Sequence, residues 1–179
     1  LLWGTGAAFV YGGFLFITLP DITDARNLIA AQSSVIVDHK GTELYRLFRD
    51  EDRVYVPNAD IPDHLKKAVV AIEDERFYER GCLDVRALLR VVFRFGQSGG
   101  ASTLTRQLAR NALDLKQDFV VNRKIKEIIL GCQLEAQYTK DELIDLYLNW
   151  IPFGKNAYGI GLASKTYFNK ESKDLTLPE

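Results

Sequence analysis

The first twenty positions, LLWGTGAAFVYGGFLFITLP, carry no charge, and Asp21 is the first charged residue. A helix of that length spans roughly 30 Å, about one bilayer hydrocarbon core. Trp3 and Tyr11 suit a membrane segment, and glycines are more frequent in such helices than in soluble ones. The pattern predicts a transmembrane anchor over residues 1–20, with a buried core helix as the alternative. A cleaved secretory signal fits less well, because TLPDITD offers no good small-residue cleavage site. Residues 21–57 form a connector, in which SSVIVDHKGTELYRLFRDEDRVYVP reads as short strands around a turn at Asp38-His39-Lys40-Gly41. From 58 to 179 the pattern turns helical. Leu65, Val69 and Ile72 recur at helical spacing, as do Val85, Leu88, Leu89 and Val92. Val121, Ile125, Ile128 and Cys132 form a third set, and Leu143, Leu146 and Tyr147 a fourth. Thr139 with Glu142 predicts a capping box opening the helix of KDELIDLYLN. The expected fold class is mainly α, with an N-terminal membrane helix and a small β connector.

Composition narrows this picture. A length of 179 residues suits one domain with a real core, and 23 basic against 24 acidic residues give no reason to expect a nucleic-acid partner. The chain has no methionine, and LTLPE at its end looks like the opening of another helix, so it is expected to be a piece of a longer protein. Cys82 and Cys132 have no metal-ligand spacing, and either two buried thiols or a disulfide is open. His39 and His64 fit neither a nucleophilic triad nor a metal site.

Four segments invite chemistry. In AIEDERFY, Glu73 follows an apolar run, with Val69 four residues before and Phe77 four after. Apolar surroundings would desolvate its carboxylate and make it a useful base near neutral pH, whereas the plainer reading is a solvated helix end. In GGASTLTRQLARN, Ser102 is the expected N-cap of a helix whose free N–H groups attract anions. Thr103, Gln107 and Arg110 there share a face suited to phosphate or sugar, although no lysine completes a P-loop. Arg123 and Glu127 stand four apart, which taken singly means a surface ion pair. KDELIDLYLNWIPFG reads as structural. Arg86, Arg90 and Arg94 add a cationic line to an apolar, aromatic-rich helix suited to an anionic bilayer surface, or to a core helix with a solvated edge.

Taken in order, these segments closely resemble the peptidoglycan glycosyltransferase domain (family 51 glycosyltransferases) of class A penicillin-binding proteins and monofunctional transglycosylases. EDERFYERGCLD is similar to the family's first motif, GASTLTRQLARN to the second, RKIKE to the third, KDELIDLYLNWIPFG to the fourth and YGIGLASKTYFNK to the fifth. The resemblance covers roughly residues 55–179. It implies a lysozyme-like α domain that polymerises lipid II into β-1,4 glycan strands, with inversion and release of polyprenyl pyrophosphate. It implies Glu73 as general base and Glu127 as the second essential glutamate, orienting cations or holding a divalent ion, magnesium or manganese. Asp74, Phe77, Ser102, Thr103, Gln107, Arg110, Asn111, Arg123 and Lys124 are the implied substrate-binding residues. The implied partners are lipid II, the growing glycan strand, the bilayer and a transpeptidase domain or other wall-synthesis proteins. The implied setting is the bacterial plasma membrane, single-pass, with the catalytic domain on the extracytoplasmic side.

Five positions depart from the family pattern. Arg80 takes the first motif's histidine slot and Cys82 its glycine slot, while Arg106 replaces a glutamine of the second motif. Asp145 stands for a glutamate of the fourth motif, and Asn169 for a glycine of the fifth. The rival readings are a glycan-cleaving muramidase or lytic enzyme, which needs no pyrophosphate site, and a catalytically inactive, membrane-anchored wall-binding protein.

Overall fold

The computed structural model describes Gly13, Leu19, residues 34–47, 52–82, 102–112, Leu115 and residues 119–179. The expected anchor over 1–20 and the arginine line Arg86, Arg90 and Arg94 lie outside these, apart from isolated positions of the former. Among the described residues no helix is long and apolar enough to cross a membrane.

The connector forms an antiparallel hairpin of β1 (Ser34–Val37) and β2 (Glu43–Leu47). The Asp38 carboxylate closes its turn by accepting from the Lys40 and Thr42 N–H groups, both at 2.8 Å, which holds its pKa below the usual value. The short strand β3 (Asp52–Arg53) then pairs in parallel with β4 (Ala157–Tyr158). Asn149 fastens the chain just beyond β3. Its Oδ1 accepts from Val56 N at 2.8 Å and its Nδ2 donates to Val56 O at 3.0 Å, so a buried backbone segment keeps both hydrogen bonds.

Five helices follow among the described residues: α1 (Asp63–Glu73), α2 (Leu104–Ala112), α3 (Val120–Gln137), α4 (Lys140–Trp150) and α5 (Gly159–Phe168). The mainly helical expectation therefore holds. Thr139 and Glu142 make the predicted capping box at the start of α4. The core runs between α2, α3 and α4, where Leu104, Leu108, Leu130, Leu134, Leu143, Ile144 and Leu148 are buried together. Gly131 of α3 permits a close approach of α2, since a Cβ there would stand 3.2 Å from Arg106 Cγ.

Two apolar stripes are phased differently from the sequence reading. On α1, Leu65, Val69 and Val70 face the core, while Ile72 is 81% exposed. On α3, Val121 is exposed, and the buried face is Glu127, Leu130, Gly131 and Leu134. Those four recur at i, i+3, i+4 and i+7, the spacing of one helical face, with a carboxylate in the first place.

Candidate active site

Glu73 is the last residue of α1, and its side chain is exposed rather than enclosed by the preceding apolar run. The helix ends at Glu73 with the Ile72 side chain also outward, so local sequence does not desolvate this carboxylate. Its Oε2 accepts from Gln107 Nε2 of α2 at 2.9 Å. Gln107 Oε1 accepts in turn from the Tyr147 hydroxyl of α4 at 3.1 Å. Burial, and then the charge of Glu73, push the Tyr147 phenol up to about 12, and Arg110 one turn along α2 partly opposes this. Three helices thus converge on one carboxylate with a cation nearby.

Glu127 is fully buried, yet it lies among cations. Lys124 Nζ donates to its Oε2 at 3.1 Å, and Arg123 Nε stands 3.7 Å from its Oε1. A surface ion pair is therefore the wrong description. A fully buried carboxylate needs such partners to remain charged, and it holds both cations at the start of α3.

The remaining expected contacts divide. Asp74 turns inward and accepts from Arg80 Nε at 3.1 Å, from Arg80 Nη2, and from the Leu104 N–H at 3.2 Å. It caps α2 and is a clasp, which leaves little of it for a ligand. Phe77 is 1% exposed, packs edge-to-face on Tyr78 and lies under Lys140 Nζ, so it belongs to the core and not to a substrate surface. Thr103, rather than Ser102, caps α2, because its Oγ1 accepts from Arg106 N at 3.3 Å. With Leu104 N and Arg106 N taken internally, those two groups are not free for an anion, and buried Thr103 has its hydroxyl committed. The Ser102 hydroxyl is buried with no hydrogen-bond partner among the described residues. Arg110 and Asn111 stand half-buried in the last turn of α2, while in the first turns of α3 Arg123 is half-buried and Lys124 exposed.

Sequence reasoning missed Tyr147 as part of the site. It was legible only as an apolar-stripe position, and the signal that finds it is a hydrogen bond between residues 40 apart.

The transglycosylase family model matches residues 40–179. The chain belongs to the transglycosylase family. It is 43% identical over 162 residues to penicillin-binding protein 1F of Bacillus subtilis (strain 168), covering 88% of this chain and 22% of that protein. It is 38% identical over 180 residues to penicillin-binding protein 1A of Escherichia coli (strain K12), covering 97% of this chain and 21% of the relative. With penicillin-binding protein 1A of Clostridium botulinum (strain Langeland / NCTC 10281 / Type F) it shares 37% over 184 residues, 97% of this chain and 22% of that protein. The chain thus spans about a fifth of the length of these relatives. It is a peptidoglycan glycosyltransferase domain of the class A penicillin-binding protein type.

Three departures from the transglycosylase pattern converge on α3. Arg80 reaches Asp74 and also Glu135 of α3, at 3.5 Å. Cys82 is disulfide-bonded to Cys132 of α3. Arg106 packs on Gly131, and burial lowers its pKa, with Arg80 adding repulsion and Glu127, Asp74 and Glu135 offsetting it. Glu135 is shared further by the Thr105 hydroxyl at 2.8 Å and Lys140 at 2.9 Å. Arg80 and the Cys82–Cys132 bond together tie the turn after Glu73 to the helix bearing Glu127. The other two are local. Asn169 ends α5 at φ +52°, a left-handed position that asparagine tolerates better than most residues. Asp145 pairs with Lys66 at 3.1 Å, and burial raises its pKa.

Proposed function

We propose that this domain polymerises lipid II, the disaccharide-pentapeptide carried on a polyprenyl pyrophosphate, with Glu73 as general base. The observation that carries the reading is the exposed Glu73 carboxylate, held at one oxygen by Gln107, whose other partner Tyr147 feels the charges of both Glu73 and Arg110. The C4 hydroxyl of the acceptor's GlcNAc attacks the anomeric carbon of the growing chain's MurNAc. Glu73 takes the hydroxyl proton, a β-1,4 bond forms with inversion, and the anomeric C–O bond breaks to release polyprenyl pyrophosphate. The leaving group gains negative charge, which Arg110, Arg123 and Lys124 are suited to stabilise. Glu127 acts here as a positioning residue that holds Arg123 and Lys124. Asn111, in the last turn of α2 beside Arg110, belongs to the substrate-binding set in this reading, and Ser102, just before α2, belongs to it only if its buried hydroxyl is uncovered.

A magnesium or manganese ion finds a poor donor set. Glu127 is one carboxylate already paired with two cations, and no group of three or more histidine, cysteine or acidic side chains converges among the described residues.

A two-carboxylate hydrolase is the weaker reading, since it requires a second acid across the scissile bond and Glu127 is fully buried between cations. A lysozyme-like arrangement of the helices, a single-pass anchor in the bacterial plasma membrane and an extracytoplasmic domain belong to the proposal. The uncharged first twenty residues and the Cys82–Cys132 bond support the last two, since disulfides persist mainly outside the cytoplasm. A transpeptidase domain in the same protein is a further part of it. The test is incubation of labelled lipid II with the intact protein in liposomes. Long glycan strands are expected. Cleavage of preformed glycan with no strand synthesis contradicts the proposal and favours the hydrolase.

A further inference from the structure

We propose that Tyr147 is a positioning residue that acts on Glu73 through the Gln107 amide. The inference rests on the reading of Glu73 as the base and adds the device that aims it. Glu73 ends α1 with an exposed, rotatable side chain, so nothing in its own helix selects one orientation. Gln107 supplies that selection only if its amide is turned the right way. A carboxamide presents two donors on one side and an acceptor on the other, and a half-turn would set Oε1 against the carboxylate. The carboxylate only accepts and so calls for the amide N–H, and the Tyr147 hydroxyl secures that orientation by engaging the amide oxygen on the other side. The hydroxyl lies 3.1 Å from Gln107 Oε1 and donates to it, which keeps Nε2 turned to Glu73 Oε2 at 2.9 Å.

Tyr147 is suited to this task in two ways. It is 3% exposed and sits on α4 among Leu143, Ile144 and Leu148, so its ring is held by packing and its hydroxyl has little access to water as an alternative partner. Its phenol, raised to about 12 by burial and by Glu73, keeps its proton throughout the neutral range and stays a donor. With Oε2 occupied, Glu73 presents Oε1 to an incoming acceptor hydroxyl. Losing one donor in such a chain leaves the carboxylate in many orientations, of which few are productive.

The experiment compares kcat and KM for lipid II in the intact protein and its Tyr147→Phe, Gln107→Ala and double variants. Tyr147→Phe removes one oxygen and is expected to lower kcat by about tenfold, with KM within about twofold, the size of one hydrogen bond to a charged-group network. In the Gln107→Ala background the second substitution is expected to change nothing further, because its effect passes through the amide. Independent, multiplying losses overturn the inference, as does a rise in KM with kcat unchanged. If Tyr147→Phe lowers the melting temperature enough to obscure its rate, Gln107→Leu replaces it, and full activity in that variant is equally fatal. A parent that makes no glycan overturns the Glu73 reading and this inference together. A polymerising parent whose Tyr147→Phe variant keeps its kcat overturns this inference alone.

Discussion

Replacing Glu73 by glutamine is expected to slow glycan synthesis by about 10²–10⁴-fold, the usual contribution of a positioned general base. The substitution keeps the side chain's shape and retains an oxygen that can accept from Gln107 Nε2. It removes only the capacity to take the acceptor's proton. Because Glu73 is exposed at the end of α1, its charge does not hold the core together, and the melting temperature is expected to stay close to that of the parent. Rates of strand synthesis and thermal unfolding, measured on the same preparation, check both halves. Equal rates from parent and variant would move the base elsewhere. The same result, with lipid II still bound, would also suit a wall-binding protein if neither preparation polymerised.

Asp74→Asn is expected to act on the fold instead. Asp74 and Arg80 side chains are 9% and 4% exposed, and the carboxylate also caps α2 through Leu104 N. An amide in that place turns a donor toward the guanidinium and leaves a buried cation short of its counter-charge. Breaking a buried pair from one side costs about 3–5 kcal/mol, and Glu135 at 3.5 Å from Arg80 offsets part of it, so the lower end applies. Denaturant unfolding measures the loss. Activity per folded molecule is expected to remain near that of the parent. Unchanged stability with activity abolished would return Asp74 to direct substrate contact.

Short-range chemistry was legible in the sequence. The capping box at Thr139 and Glu142 and the turn at Asp38 depend on neighbours within four residues, and both form as read. The order of the five motifs made the family legible, and it is what singles out Glu73 and Glu127 as candidates. Burial was not legible where an apolar stripe ended or changed phase. Ile72 completes a helical stripe on paper but lies past the edge of the packed face, and Glu73 is exposed with it. Glu127 looked like half of a surface pair because only tertiary packing reveals that Leu130, Gly131 and Leu134 share its face. Phe77 and Thr103 matched motif positions, yet a motif does not distinguish a residue that touches substrate from one that holds its neighbours in place. The departures at Arg80, Cys82 and Arg106 are far apart along the chain, and only the fold brings them together against α3.

In the proposed reaction glycan grows by displacement of a polyprenyl pyrophosphate. Phosphorus NMR of lipid II turned over by the intact protein, with glycan bonds counted on the same sample, tests it most directly. One polyprenyl pyrophosphate released for each new β-1,4 bond is the predicted result. Pyrophosphate release without matching bond formation, or glycan shortening with lipid II untouched, would contradict it.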